Sequence, residues 1–163
     1  MTYLMLAGAM CLSLLASEPE ADAETYAAAY KAILESGGPM VVMVGTDGSP
    51  PCQAMKRHVL PELRRRRWFG RIVFARVNAR REARLAQRLT GGGPVPQLVM
   101  FRRTPEGWVR RKLVGRHSVE TAERFIEQGI ALDEATRRQA AARLAARQRT
   151  GEADRSEAPN GDD

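Results

Sequence analysis

The stretch PMVVMVGTDGSPPCQAM, residues 39–55, decides how the rest of the chain is read. Its first half is a continuous run of β-branched residues and methionine bounded by Pro39 and Gly45, the pattern of a strand buried on both faces. Its second half is a helix start: the Ser49 hydroxyl can cap the first free amides, and the proline that follows gives up no donor that the helix needs. Cys52 therefore arrives near the mouth of a helix, directly after a central strand.

Working outward, that helix is expected to continue through Met55, Val59, Leu60 and Leu63, with a kink at Pro61. Upstream, AETYAAAYKAILES (23–36) spaces Tyr26, Tyr30 and Ile33 for an amphipathic helix, and Gly37-Gly38 supplies its stop. Downstream, RIVFARVN (71–78) reads as a strand, RREARLAQRL (80–89) as a helix, and GGGP as the end of that helix. QLVMF (97–101) and WVRRKLVG (108–115) bracket the turn signal TPEG and read as an antiparallel hairpin. Ser118, with Thr121 and Glu123, opens a helix whose apolar positions include Val119, Ala122, Phe125 and Ile126. A separate alanine-rich helix with an arginine face is expected over 132–150, and the tail GEADRSEAPNGDD (151–163) has almost nothing to bury and is expected to be disordered. Strands alternating with helices argue for a parallel core, to which the late hairpin adds antiparallel strands.

The chain of 163 residues is long enough for one domain with a core of its own. Its net charge of +7 conceals a more basic body: residues 17–23 hold three acids and the tail five against Arg155, so residues 24–150 carry +14. That surplus suits anionic partners, yet it is spread along the body and also fits an arginine-biased composition. Residues 4–15, LMLAGAMCLSLL, form an uncharged apolar run of signal-peptide length, followed by small-residue cleavage contexts at Ala16 and at Ala21-Asp22-Ala23. The preceding Met1-Thr2-Tyr3 lacks the usual positive charge. Export is the leading expectation for residues 1–23, with an uncleaved membrane anchor and a buried segment as the alternatives. Two cysteines, Cys11 and Cys52, make no disulfide framework, and cleavage would leave Cys52 as the only thiol.

Taken together, a cysteine-proline motif after the first central strand, VPQLVMF before the hairpin, and Gly115 closing LVGRHS resemble the thioredoxin family. The long helix after the motif is similar to the exported thioredoxin-like domains. The resemblance covers about residues 24–130, followed by the 131–150 helix and the 151–163 tail. It implies an α/β fold with a mixed central sheet, a parallel core plus a C-terminal antiparallel hairpin, flanked by helices. It also implies that Pro96 follows a cis bond and that Val95, Pro96 and Pro51 line the place where the family holds substrate polypeptide. In the same alignment Ser49 stands at the attacking position and Cys52 at the resolving one. Gly48 replaces the family's tryptophan, and Met43 replaces a buried acid found in many members. A serine hydroxyl forms no redox couple, so dithiol cycling is not expected.

Two functions follow from the resemblance. Cys52 is either a working single thiol that exchanges with protein thiols or glutathione, or a shielded relic of a lost pair. In the second case a groove at Pro96 still holds extended polypeptide by strand-like pairing. A monomer is expected in either case. A third reading, a basic adaptor for nucleic acid or anionic lipid, rests on RRRRWFGR (64–71), where the arginines are better explained as solvating a helix end while Trp68 and Phe69 cover the sheet. His58 and His117 have no partner at metal-ligand spacing, and TGGGP follows a helix instead of opening one, so neither a metal nor a phosphate-bearing cofactor is expected.

Overall fold

The computed structural model describes residues 25–156, with side chains described through residue 149. The expected export segment, Cys11 and the last residues of the tail lie outside them. Nine regular elements and two short turns follow in order: α1 (Tyr26–Ser36), β1 (Met40–Gly45), α2 (Pro50–Ala54), a π-helical turn (Met55–Val59), α3 (Leu60–Arg65), a 3-10 turn (Trp68–Gly70), β2 (Val73–Asn78), α4 (Ala83–Thr90), β3 (Gln97–Thr104), β4 (Gly107–Val114) and α5 (Val119–Ser156). The strands form one sheet in the order β2-β1-β3-β4.

β1 is buried at every position, as its unbroken apolar run requires. It pairs in parallel with β2 and antiparallel with β3, so the parallel core expected from the sequence is a single strand pair. The reason lies in α4, whose eight residues rise only about 12 Å. The chain leaves β2 and enters β3 at the same end of the sheet instead of crossing back to the opposite end. One consequence governs the site. Because Val44 pairs with Gln97, Pro96 is delivered to the end of the sheet where β1 hands over to α2.

Two apolar layers cover the sheet. On one face, Met40, Val42, Val44, Val73, Ala75, Val77 and Val99 pack against Ala29 and Ile33 of α1 and Ala86 and Leu89 of α4. On the other, Val41, Met43, Phe74, Leu98 and Met100 meet Cys52, Met55, Leu63, Phe69, Phe125 and Ile126. Pro61, which has no amide to donate, is accommodated by the π-helical turn just ahead of it, so the expected kink is a widened turn between α2 and α3.

Helix α5 runs unbroken for 38 residues, across the expected division at residue 130 and into the first six residues of the tail. Ser118 caps it, its hydroxyl accepting from the Thr121 amide at 3.3 Å. Burial of Ile130 and Asp133 carries it past the expected boundary. Arg137 then fastens it, pairing with Asp133 and donating to the Gly37 carbonyl at the end of α1, both at 2.7 Å. Gly129 lets α5 approach β3 closely, because a Cβ there would sit 1.9 Å from Met100 Sδ. On edge strand β4, Arg110 donates to the carbonyls of Arg88 and Leu89 and Lys112 to that of Thr90, supplying donors for the last turn of α4.

Candidate functional site

The end of the sheet where β1 becomes α2 gathers most of the residues singled out in the sequence. Ser49 occupies the cap position of α2 with extended backbone, and its carbonyl accepts from the Gln53 amide at 2.9 Å. Its hydroxyl makes no cap bond, which corrects the expected capping role: the helix is started by backbone geometry and by Pro50 and Pro51, which have no amides to satisfy. Pro51 is exposed, while Cys52 is 0% exposed and belongs to the core with Met43, Met55 and Leu98. The Thr46 amide donates to Cys52 Sγ at 3.4 Å, and Gly45 passes so close that a Cβ there would come within 3.2 Å of the sulfur.

The Val95-Pro96 bond is cis. Pro96 is buried, and its carbonyl accepts from the Gly115 amide at 2.8 Å, which gives that glycine its place at the end of β4. Val95 packs against the cluster that contains Cys52, so the sheet does bring the cysteine and the cis-proline segment together. Among the described residues, neither the amide nor the carbonyl of Val95 has a hydrogen-bond partner. A main-chain donor and acceptor thus stand unused at the head of β3.

Two supporting residues went unread in the sequence. Gln97, 1% exposed, donates through Nε2 to the carbonyls of Gly92 and Pro94 and so holds the glycine-rich approach to Val95 in place. Its signal was a polar residue opening an otherwise apolar strand. Asp47 is the other. Its carboxylate takes a 2.6 Å bond from Lys56 Nζ and a 2.7 Å bond from Asn78 Nδ2, with Arg81 at 3.5 Å, and its carbonyl accepts from Gln53 Nε2. The hydrogen bond from Lys56 is the main cause holding the Asp47 carboxyl below its ordinary range. Nothing in a lone aspartate of a loop announced this role.

Two clefts lie beside this arrangement and are not lined by Val95, Pro96 or Pro51. A cleft of about 440 Å³ opens between β1, β2 and the π-helical turn, lined among others by Met43, Gly45, Asp47, Lys56, Arg76 and Arg81. A second, of about 410 Å³, places His58 and His117 together with Arg116 and Glu120. His117 Nε2 lies 2.8 Å from the Val114 carbonyl. Among the described residues, no group of three or more His, Cys, Asp or Glu side chains is placed to hold a metal. The basic stretch is also built in: Arg66 pairs with Glu123 at 2.7 Å, Trp68 donates to the same carboxylate at 2.7 Å, and Phe69 stacks on Phe74. Arg64 lies over Phe69 and Arg71 over Trp68. These rings are engaged by the protein itself.

No known family profile matches the chain, and no curated protein matches it by sequence. Solved structures do. A thioredoxin from Thermus thermophilus is 22% identical with a TM-score of 0.56, over 64% of this chain and 83% of that one. Trichomonas vaginalis thioredoxin is 21% identical with a TM-score of 0.51, over 64% and 90%. Chloroplastic thioredoxin z is 15% identical with a TM-score of 0.52, over 66% and 91%. The fold is therefore thioredoxin-like.

Proposed function

We propose that this thioredoxin-like chain works as a binding module that holds an extended polypeptide by strand-like pairing at Val95 and cis-Pro96. The observation that carries this reading is the pairing of opposites at one place: a main-chain donor and acceptor on Val95 left unused, above a cysteine with no exposed surface. Main-chain pairing needs an edge and no deep cavity, which suits a site that neither cleft includes. Exposed Pro51 and half-buried Ser49 flank the contact. Cys52 supports the floor. The setting we assign is outside the cytoplasm, on the strength of the apolar run at 4–15, with the chain acting as a monomer that is exported or held at a membrane by that run.

A second reading keeps Cys52 as a single exchanging thiol toward protein thiols or glutathione. It is favoured by the Thr46 amide, a donor already directed at the sulfur. One experiment separates the two. The full chain is titrated with an unfolded, cysteine-free polypeptide while backbone amide shifts are followed by NMR, in wild type and in Cys52→Ser. Binding-module function predicts shifts centred on Val95 and Gln97 that persist in the variant. Absence of shifts there, or their loss with the thiol, overturns it.

A further inference from the structure

Cys52 is sealed in two unlike ways. It is fully buried in the apolar cluster that includes Met43, Met55 and Leu98, with Val95 packed against that cluster, and these side chains cannot part without disrupting it. Its sulfur also takes a hydrogen bond from the amide of Thr46, the first residue of the short segment 46–49, which buries no apolar side chain of its own: Thr46 and Ser49 are half-buried, Asp47 and Gly48 exposed. That segment is kept in place by polar bonds, and most of them converge on Asp47. Lys56, in the turn after Cys52, grips one carboxylate oxygen at 2.6 Å, and Asn78 at the end of β2 grips the other at 2.7 Å. Gln53, on the helix that carries Cys52, donates to the Asp47 carbonyl. The neighbouring residue on one side, Thr46, donates to the sulfur itself, and the neighbour on the other, Gly48, has no Cβ to restrict rotation.

The lining of the 440 Å³ cleft includes Asp47, Lys56, Asn78 and Arg81, so water already reaches the bonds that hold the segment down. Exposed ion pairs of this kind exchange with solvent at little cost, whereas buried apolar contacts do not. The least costly path to the thiol is therefore through residues 46–49. We propose that this segment is a cover over Cys52 and that Asp47 is its latch, fastening it to the helix on one side and to β2 on the other. Cys52 is then reached by local opening of the cover while the sheet and both apolar layers stay intact. The inference rests on the contact between the Thr46 amide of the segment and Cys52 Sγ and needs no bound polypeptide, so it stands or falls separately from the binding reading.

The test is alkylation of the full chain by iodoacetamide under native conditions, with peptide mapping by mass spectrometry to score Cys52 apart from Cys11. Wild type is compared with Asp47→Ala and Lys56→Ala, which release the latch, and with Ile33→Ala, which weakens the opposite face. Denaturation midpoints are measured for all four. A latch predicts that Asp47→Ala speeds Cys52 labelling about tenfold with little change in midpoint, Lys56→Ala doing the same to a smaller extent. Salt at 1 M, where charges are screened within about 3 Å, should speed wild type toward the Asp47→Ala rate and leave that variant unchanged. Labelling rates that simply follow global stability, fastest in Ile33→Ala, would overturn the proposal. So would Cys52 remaining unlabelled in every variant until denaturant is added.

Discussion

The sheet face under α1 and α4 is filled mainly by short and branched side chains, Val42, Val44, Val73, Ala75, Val77, Ala29 and Ile33, beside one methionine, Met40. The face under α2, α3 and α5 is filled by Met43, Met55, Met100, Phe69 and Phe74 around Cys52. Short and branched side chains have few ways to pack, so the helices over the first face are regular and conventionally ended. Thr25 caps α1 by accepting from the Ala28 amide, and Gly37 and Gly91 turn left-handed after α1 and α4. Methionine bends to fit. Over the second face the helix carries a π-helical turn, Ser49 starts it without a side-chain cap, and a glycine inside α5 makes room for a thioether. The candidate site belongs to the face that accepts irregular backbone, and that is where rules of local sequence are most often broken for function.

The largest effect should fall on both faces alike. Ile33→Ala and Ile126→Ala each remove a fully buried side chain and should cost about 2–5 kcal/mol in chemical denaturation. If one of them costs almost nothing, the two layers are not parts of one cooperative fold. A smaller change should separate the faces. Gly129→Ala gains helix propensity of about 1 kcal/mol but forces a methyl group into Met100, an overpacking that costs roughly 1–3 kcal/mol. We expect a net loss in wild type and a neutral or stabilising effect in a Met100→Ala background, and a loss of equal size in both backgrounds would remove the close approach as its cause. The smallest effect concerns Asp47, whose carboxyl is exposed and held below its ordinary range chiefly by Lys56. A lowered folded value means that its contribution is present above the unfolded value of about 4 and is lost as pH falls through the folded one. Asp47→Asn should therefore be slightly less stable than wild type at pH 7 and indistinguishable from it in acid, and a gap that persists in acid would assign the difference to something other than charge.

How much of this was legible in the sequence depended on whether a residue acts locally. The strand from Met40, the helix start at Pro50 and the hairpin around Pro105 were readable because neighbouring residues set them. Cys52, Pro96 and Gly115 were placed through their spacing, which resembles a known pattern. The antiparallel entry of β3 was not readable, since it depends on α4 being too short to return the chain to the far end of the sheet. Nor was the continuity of α5: glycine at 129 lowers helix propensity locally, while its actual constraint is Met100, far away in sequence. Ser49 failed as a cap because its hydroxyl finds no amide in α2, and Asp47 mattered because Asn78 and Lys56 meet it in space.

Arg110 and Lys112 were described as donors to the last carbonyls of α4, yet their strand is also a margin of the sheet, paired on one side with β3 among the described residues. An open strand margin is a template onto which a stray chain can add, and successive additions grow into fibrils. Here the margin carries Arg110, Arg111 and Lys112 in unbroken succession, so a second β4 approaching it would set cations against cations. The residues that finish a helix thereby also oppose aggregation, and replacing them with apolar residues of similar length would expose the chain to a hazard that a measurement of folding stability alone would not reveal.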